Sequence, residues 1–303
     1  MNYELEYPNV EPVRVDKYIN EQLPDLSRSY IQQLIKNENV FVNGKICKAN
    51  YKCKPFDKIV LDYEEAQELE VVAENIPLDI VYEDASIIIV NKCKNMVVHP
   101  APGHSNGTLV NALLYHCKDS LSSINGVIRP GIVHRIDRNT TGILVVCKND
   151  HAHKILAEQL KEHSITRKYH AICYGTFKEE KGTINAPIGR HPVDRKKMAI
   201  NHKNGREAVT HYKVLKTLSG GYSYIECTLE TGRTHQIRVH MASIGHPLLG
   251  DDVYGPKNPK MKGLEGQTFR AKTLGFIHPD TKEYVEFDSE LPDYFKGLLE
   301  KLV

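Results

Sequence analysis

Residues 131–142 read Gly131-Ile-Val-His-Arg-Ile-Asp-Arg-Asn-Thr-Thr-Gly142, and this stretch decides how the central part of the chain folds. Ile132 and Val133 predict a strand before it, and the apolar run Ile143–Val146 predicts a buried strand after it. Asp137 is therefore expected on a polar connector held by rigid strands, where functional side chains concentrate. The alternative is that Asp137 only forms a turn or a surface ion pair.

This stretch resembles the signature of the RluA/RluD-type family of RNA pseudouridine synthases, which is His-Arg-Leu-Asp, two variable residues, then Thr-Ser-Gly. Here Ile136 replaces the leucine and Thr141 the serine. Further blocks similar to that family follow in its order over most of residues 77–260: Tyr82–Asp84, Val97–Pro100, Arg167–Tyr169, Ile188–Arg190 and Thr231–His240.

One short segment departs from the family pattern. Where the family usually has Lys-Pro-x-Gly, this chain has Lys92-Cys-Lys-Asn95, without the proline and the glycine. Asn95 can still take a left-handed conformation, although less readily than glycine does. The shape of this turn is therefore less certain from the sequence than the position of Asp137.

The predicted fold class is α+β, in three parts. Residues 1–62 resemble the small α/β RNA-binding domain first described in a small-subunit ribosomal protein, and residues 63–76 form an acidic linker. Residues 77–303 are expected to form the catalytic domain, with a mixed, mainly antiparallel β-sheet and flanking helices. At 303 residues the chain has room for one large core and one small one.

Local patterns place the elements of the first part. A helix starts in Val13–Ile19, and a second follows Ser27, which is a plausible N-cap. Val40–Lys45 predicts a strand that closes on an Asn-Gly turn, and Asp57–Leu61 predicts another strand.

The larger part combines strands with a few helices. Residues Ile87–Val90 predict a buried strand, Leu109–Leu114 a helix and His151–His163 an amphipathic helix. Tyr222–Glu230 alternates as a strand does. After it, Thr234 is expected to cap a helix that buries Ile237, Met241 and Ile244 and ends at Gly245.

Composition narrows the class of protein. No apolar run approaches the roughly 18 residues of a membrane span, and the N-terminus opens with Asn2, Glu4 and Glu6 rather than a signal sequence. We therefore expect a soluble cytoplasmic protein with no membrane partner. The 7 cysteines include no Cys-x-x-Cys pair, which argues against both a disulfide framework and a zinc site.

The charge distribution says more about partners than the net charge of +2. Between Gly189 and Arg206 the single acid Asp194 stands against six basic residues, which would attract a phosphate backbone or simply form a solvated loop. They are Arg190, Arg195, Lys196, Lys197, Lys203 and Arg206. Residues 63–91 contain no Lys or Arg and are expected to face away from RNA.

The resemblance implies an isomerase that converts uridine in RNA to pseudouridine without a cofactor or a metal. Asp137 is the expected catalytic carboxylate, either as a nucleophile or as a base, and the sequence does not choose between them. A buried carboxylate needs a cation to stay ionised, and Arg238 is expected to supply it. Tyr169 is expected to stack on the flipped uracil and to be a candidate for proton exchange, and Arg135 to fill the gap left in the RNA.

The remaining site calls also follow from the resemblance or from charge. Supporting substrate contacts are expected from His134, Thr140, Thr141, Arg190, Arg233, His235 and Gln236. In the first part of the chain, basic side chains that can line an RNA-binding face are Arg14, Lys17, Arg28, Lys36 and Lys45. The resemblance implies that the protein acts on large-subunit ribosomal RNA, with transfer RNA as the alternative. We expect it to be a monomer.

Two interpretations from other classes stay open at this point. One is a non-catalytic RNA-binding factor for ribosome assembly, which the first part and the basic segment would equally support. The other is a hydrolase that uses His134 and Asp137, with a metal near the adjacent His151 and His153. No nucleophile elbow or phosphate-binding glycine loop supports that second interpretation.

Overall fold

The computed structural model describes residues 2–48, 50–63, 71–101, 104–118, 120–126, 128–194, 197–259 and 261–303. The chain divides into two compact units between residues 69 and 70. Within the described ranges, no helix is both long and apolar enough to cross a membrane.

The first unit is a four-stranded antiparallel sheet with two helices packed into one apolar core. The strand order is β1-β4-β2-β3. Its described elements are β1 (Asn2–Glu6), α1 (Val15–Gln22), α2 (Arg28–Lys36), β2 (Val40–Val42), β3 (Lys45–Ile46) and β4 (Lys58–Asp62).

The predicted elements of this unit are confirmed, with one omission. Ser27 caps α2 by accepting a hydrogen bond from Tyr30 N at 3.3 Å, and Asn43 and Gly44 take the positive φ values of a tight hairpin turn. Strand β1 was not predicted. It pairs with β4, more than fifty residues away in the sequence, so no local pattern signals it.

The second unit is built on one large sheet, with a separate two-stranded ribbon and four helices in the described residues. Its elements are β5 (Ile80–Glu83), β6 (Ile87–Lys92), α3 (Leu109–Cys117), β7 (Thr141–Cys147), α4 (Asp150–Lys161), β8 (Thr166–Tyr174), β9 (Lys181–Asn185), β10 (Ile188–Arg190), β11 (Met198–Ile200), β12 (Val209–Leu218), β13 (Tyr222–Leu229), α5 (Gln236–Ser243), β14 (Phe269–Ile277), β15 (Tyr284–Asp288) and α6 (Asp293–Lys301).

The large sheet has the order β5-β6-β7-β14-β8-β13-β12-β9, with β15 paired to β14. β7 and β14 run parallel, and the other pairings in the described part of this sheet are antiparallel. The predicted α+β class, with a mainly antiparallel sheet and flanking helices, is therefore confirmed. Every residue of β7 is buried, because Leu144 and Val146 pack on one face and Ile143 and Val145 on the other.

The predicted acidic linker falls partly on residues 64–70, which lie outside the described residues. The following segment packs against the second unit, because Asn111 of α3 donates to Val72 O at 2.8 Å and accepts from Glu74 N at 2.9 Å through its backbone oxygen. Residues 71–76 therefore belong to the second compact unit, and the proposed three-part division stays a prediction.

Two local predictions in this unit were wrong. Ile132 and Val133 do not form a strand; Ile132 makes an isolated bridge to Val146, and Asp137 lies on a loop that leads into β7. Ile244 is 39% exposed, because α5 already ends at Ser243 and leaves it beyond the buried face. Gly245, the predicted glycine stop, has φ of +85° and follows the C-cap residue Ile244, two residues beyond the last helical residue.

The strand register brings the start of β7 level with the middle of β8. Ala271 of β14 pairs with Gly142 on one side and with Tyr169 on the other. Gly142 has φ of +114°, and a Cβ there would lie 2.1 Å from Ala271 O. The glycine therefore lets β7 and β14 approach closely at the point where the Asp137 loop ends.

We predict that Gly142→Ala destabilises the protein by on the order of 3 kcal/mol, because the new methyl group meets backbone and the φ value is unfavourable. The matched control is Gly297→Ala in α6, where no atom lies within 4 Å of the added Cβ and alanine is the better helix former. Chemical denaturation of both variants tests this. Equal stability of the two variants would contradict it.

Candidate active site

The loop that carries Asp137 is fixed by backbone and histidine contacts. Thr140 N donates to Asp137 O at 3.0 Å, and Val145 N donates to Nε2 of His134 at 3.0 Å. Burial, with the nearby charge of Arg167, lowers the pKa of His134 to about 4. His134 is therefore neutral at pH 7, and its Nε2 lone pair is used inside the fold, which weakens the interpretation of His134 as the base of a hydrolase.

A buried lysine donates a hydrogen bond to the same loop. Lys92, at the end of β6, is 1% exposed, and its Nζ donates to the carbonyl oxygens of Cys93, Met96 and Arg138 at 2.8, 2.9 and 3.0 Å. Burial lowers the pKa of Lys92 to about 8. This ammonium group ties the Lys92–Asn95 turn to the residue that follows Asp137.

The turn that departs from the family pattern keeps its shape. Asn95 has φ of +67°, the left-handed conformation expected of it. Its Oδ1 accepts a hydrogen bond from Nε of Arg138 at 2.7 Å. The asparagine thus takes the glycine-like conformation and adds a contact to the Asp137 loop.

Arg238 connects Asp137 to a second aspartate. Its Nη1 donates to Asp137 Oδ2 at 2.9 Å, while Nε and Nη2 donate to the two carboxylate oxygens of Asp251 at 2.7 and 2.9 Å. The arginine side chain is 5% exposed and that of Asp251 is fully buried, whereas that of Asp137 is 18% exposed. The predicted contact between Arg238 and Asp137 is confirmed.

The electrostatics of this group favour its charged form. Burial acts to lower the pKa of Arg238, but the hydrogen bonds and charges of Asp251 and Asp137 raise it above its ordinary value. Burial likewise acts to raise the pKa of Asp251, and Arg238 holds it below the usual range. Arg238 and Asp251 are consequently expected to be ionised at neutral pH.

The turn before α5 is built differently from the prediction. Thr234 does not cap the helix; the N-cap position is His235, in a left-handed conformation with φ of 58° and without a side-chain cap. The Gln236 side chain stabilises the turn instead, since its Oε1 accepts from Thr231 Oγ1 and Arg233 N, both at 2.9 Å.

Gln236 therefore has a different expected role. It is 3% exposed, and its Nε2 donates to Val209 O and Thr210 Oγ1 at 2.9 and 3.0 Å. Because both ends of its amide are used inside the protein, Gln236 is suited to hold the turn rather than to contact a substrate. His235 lies near Asp137, with its Nε2 3.8 Å from Asp137 Oδ1. Its Nδ1 is 2.9 Å from the hydroxyl of Tyr254.

Tyr169 lies beside Asp137 in an open cavity. Its ring stacks on Phe269, with centroids 5.2 Å apart and an interplanar angle of 23°. Burial raises the pKa of Tyr169 above its ordinary value. A cavity of about 530 Å³ is lined by Asp137, Tyr169 and the exposed Arg135, so the three residues expected to meet a flipped base share one space.

The other predicted substrate contacts are only partly gathered here. Arg233 lines the same cavity and donates from Nε to Glu207 O at 2.9 Å. Thr140 is buried and accepts from Gln267 Nε2 at 3.2 Å, and Thr141 bonds to the hydroxyl of Tyr294 at 3.4 Å. Arg190 is exposed on the β10–β11 ribbon and is not among the described residues that line this cavity.

Two of the predicted basic side chains of the first unit are held in an ion cluster. Arg14 and Arg28 both bind the fully buried carboxylate of Asp16, at 2.9 and 3.0 Å. Burial acts to raise the pKa of Asp16, but hydrogen bonds from Arg14, Gln32 and Arg28 hold it well below its usual value.

The three lysines named in this unit are placed differently. Lys17 pairs with Glu21 at 3.6 Å on the surface of α1. Lys36 and Lys45 are exposed at the end of α2 and on β3. The basic segment of residues 189–206 is only partly described, because Arg195 and Lys196 lie outside the described residues.

Sequence reasoning missed Asp251 and Tyr254. Tyr254 packs its ring 5.1 Å from the guanidinium carbon of Arg238 and donates or accepts at the His235 ring. The available signal was Gly250-Asp-Asp-Val-Tyr254, a polar stretch directly after the buried Leu248 and Leu249. In this stretch, as at Asp137, a carboxylate lies next to an apolar run in the sequence.

The cysteines and possible metal ligands add little to the site. Six of the 7 cysteines are buried free thiols, and Cys93 is exposed. In the described ranges no group of three or more His, Cys, Asp and Glu side chains is arranged to hold a metal ion.

Comparison with known proteins agrees with this geometry. Residues 86–243 match the RNA pseudouridylate synthase family, and residues 13–59 match the S4 domain. The chain is 51% identical to an uncharacterised RNA pseudouridine synthase of Bacillus subtilis, over 95% of this chain and 94% of the relative. It is 45% identical to ribosomal large subunit pseudouridine synthase D of Zymomonas mobilis, over 96% and 94%.

A solved structure shows the same fold. Human RNA pseudouridylate synthase domain containing 1 superposes with a TM-score of 0.59 at 27% identity, over 78% of this chain and 89% of that one. The chain therefore belongs to the RNA pseudouridylate synthase family, and it carries an S4 domain at its N-terminal side. It is an RNA pseudouridine synthase, which is an isomerase.

We predict that Asp251→Asn lowers the free energy of unfolding by about 2–4 kcal/mol at neutral pH, because Arg238 loses a buried ionic partner. We also expect turnover to fall by about 100-fold, since Arg238 is then free to shift toward Asp137. The matched control is Asp252→Asn, whose carboxylate is 73% exposed and 3.9 Å from Arg238; its unfolding free energy should change by less than about 0.5 kcal/mol.

The pH dependence of the same pair gives a second check. Because the folded-state pKa of Asp251 is depressed, its contribution is present above the unfolded value and is lost as pH falls through the folded one. The difference in stability between the parent and Asp251→Asn should therefore narrow in acid. A difference that is constant down to acid unfolding would show that the charge of Asp251 does not contribute.

Proposed function

We propose that this pseudouridine synthase modifies uridines in large-subunit ribosomal RNA, with Asp137 as the catalytic carboxylate. The proposal rests on the position of Asp137. Its side chain is 18% exposed, lines the cavity and accepts a hydrogen bond from the buried Arg238. Binding RNA alone does not require a cavity-lining carboxylate that a buried arginine holds in place. The non-catalytic assembly factor is therefore the weaker interpretation.

The reaction makes modest demands on the protein. The bond between the ribose C1′ and uracil N1 breaks, the base rotates, and C1′ bonds to ring carbon five, which gives up a proton while N1 gains one. Oδ2 of Asp137 accepts a hydrogen bond from Arg238, which leaves Oδ1 as the oxygen to attack C1′ or to accept a ribose proton. In both routes the hydrogen bond from Arg238 keeps the carboxylate oriented.

The uridine must leave the RNA stack to reach Asp137. Tyr169, whose ring is fixed against Phe269, provides a flat apolar surface for the extruded uracil. The exposed guanidinium of Arg135 lies two residues before Asp137 and can stack in the place that the base leaves. His134 and Gln236 support these residues from inside the fold.

The ribosomal target rests on the relatives. Proteins of Zymomonas mobilis and other bacteria that match this chain over nearly its full length carry the name ribosomal large subunit pseudouridine synthase D. Such a substrate fits the cytoplasmic location expected from the sequence. The three-part division, with an RNA-binding first part, is part of the same proposal.

Incubation of the purified protein with unmodified large-subunit ribosomal RNA tests the proposal, with EDTA present and no cofactor added. Carbodiimide labelling and primer extension should reveal stops at one or a few uridines. Asp137→Asn should abolish the stops yet keep RNA affinity within about tenfold, because the amide keeps the shape and loses the charge. Asp280→Asn, an exposed aspartate outside the cavity lining, is the control and should retain activity.

Other outcomes separate the alternatives. Stops on a transfer RNA pool but not on ribosomal RNA would keep the mechanism and change the substrate. Binding without stops on either RNA would favour the assembly factor. Normal turnover by Asp137→Asn would rule out the catalytic assignment.

We further predict that replacing Lys36 and Lys45 by Gln weakens binding to ribosomal RNA and reduces the slope of log affinity against log salt by up to about 2. Turnover of bound RNA should not change. Arg28→Gln is the contrasting variant, because its guanidinium is already paired with Asp16; it should lower stability with little effect on the slope. Equal slopes for parent and double variant would show that these lysines do not contact phosphate.

A further inference from the structure

Arg167 is a buried cation that the proposed chemistry does not use. It lies on β8, two residues before Tyr169 and on the same face of the sheet, and it is 6% exposed. Within the described part of the chain its guanidinium makes one hydrogen bond, from Nη2 to Glu230 O at 2.9 Å, and its buried Nε has no partner. Most of its five N–H donors are thus unused.

No carboxylate of the described residues compensates this charge. Burial lowers the pKa of Arg167, and the neighbouring Arg233 acts in the same direction. The acidic side chain of Glu230 is bound to His211 at 2.6 Å, and only its backbone oxygen meets Arg167. Buried charges are normally paired, so an unpaired guanidinium beside an open cavity is suited to bind an anion.

A second buried arginine shows that this arrangement is particular to the site. Arg270 of β14 is 3% exposed and also has an unpartnered Nε. It is paired in register with His170, on the face opposite to Tyr169, and its Nη2 donates to Asn91 Oδ1 at 3.1 Å. Burial lowers the pKa of Arg270, and the charges of Tyr294, Asp79 and Asp288 act to raise it; no carboxylate of the described residues acts in this way on Arg167.

The fold also makes room for the Arg167 guanidinium. Gly232 lies on the turn before α5, and a Cβ added there would be 2.5 Å from Nη1 of Arg167. The absence of a side chain at Gly232 lets the guanidinium lie against the turn. The arginine is consequently held in one place by Gly232 on one side and Glu230 O on the other.

The cavity above Arg167 is electropositive. It is the 530 Å³ space that contains Asp137 and Tyr169. Among the described residues that line it, Asp137 is the acid, and it is already paired with Arg238. The lining cations are Arg135, Lys161, Arg167 and Arg233.

We propose that Arg167, with Arg233 beside it, forms a binding site for a backbone phosphate of the RNA next to the flipped uridine. The inference rests on the proposed function, since a strand that delivers a uridine to Asp137 brings the phosphates on either side of that nucleotide into the same cavity. A guanidinium matches two phosphate oxygens at once, and such contacts fix the register of the strand. Arg167 thereby sets which nucleotide is presented to Asp137.

The first test measures RNA affinity across a salt series in the Asp137→Asn background, so that bound RNA is not converted. Arg167→Gln should weaken binding to ribosomal RNA about tenfold and reduce the salt slope by about 1. Arg270→Gln is the matched control and should leave the slope unchanged. An unchanged slope for a folded Arg167→Gln protein would overturn the proposal.

A second test does not depend on the folding of that variant. A short RNA is made around the uridine mapped above or, if none is modified, from the segment that the protein protects in footprinting. Single methylphosphonates, which remove the charge of one linkage, are placed at each position. One linkage should cost the parent protein about tenfold in affinity and should cost Gly232→Ala, which displaces the guanidinium, much less.

The two proposals fail in different ways. Equal losses at every linkage for the parent and Gly232→Ala would remove the phosphate site while leaving the isomerase intact. Absence of pseudouridine with the parent protein, together with one sensitive linkage, would remove the proposed function and keep the phosphate site.

Discussion

The site depends on the sharing of one buried guanidinium between two carboxylates. Arg238 binds Asp251 with two hydrogen bonds and Asp137 with one, so Asp251 fixes the plane of the arginine and Asp137 receives its remaining Nη1. Burying these charges is unfavourable unless their geometry is good, and here every oxygen of Asp251 has a donor. The result is that the Asp137 carboxylate is oriented by a buried partner and is still 18% exposed.

The surrounding sheet makes that arrangement rigid. β7 is buried on both faces, and its close approach to β14 at Gly142 places the Asp137 loop level with Tyr169 two strands away. Lys92, on a neighbouring strand, donates one hydrogen bond to Arg138 O of the same loop and two more to Cys93 O and Met96 O of its own turn. Functional groups held by strands and by buried polar contacts keep their geometry without a cost at the moment of reaction.

Among the described residues, some buried charged side chains have partners of opposite charge, and others do not. In the first unit Arg14 and Arg28 converge on the buried Asp16, and in the site Arg238 has two acids. Arg167 has none among the described residues, although it is as deeply buried as Arg238. Such an unpaired positive charge is suited to bind a polyanion, because a phosphate group would neutralise it.

The sequence by itself determined the family, the fold class, most strands and helices, and the position of Asp137, because these depend on local patterns and on ordered motifs. The Ser27 cap, the Asn43-Gly44 turn and the left-handed Asn95 are examples in which the local residue type was sufficient. The tertiary structure decided the rest. Strand β1 depends on pairing with β4, far along the chain. Ile132 and Val133 do not form a strand, because Ile132 makes only an isolated bridge to Val146. Asp251 and Lys92 owe their roles to contacts across 13 and 46 residues. Such contacts are set by packing and charge in three dimensions, and periodicity along the chain does not predict them.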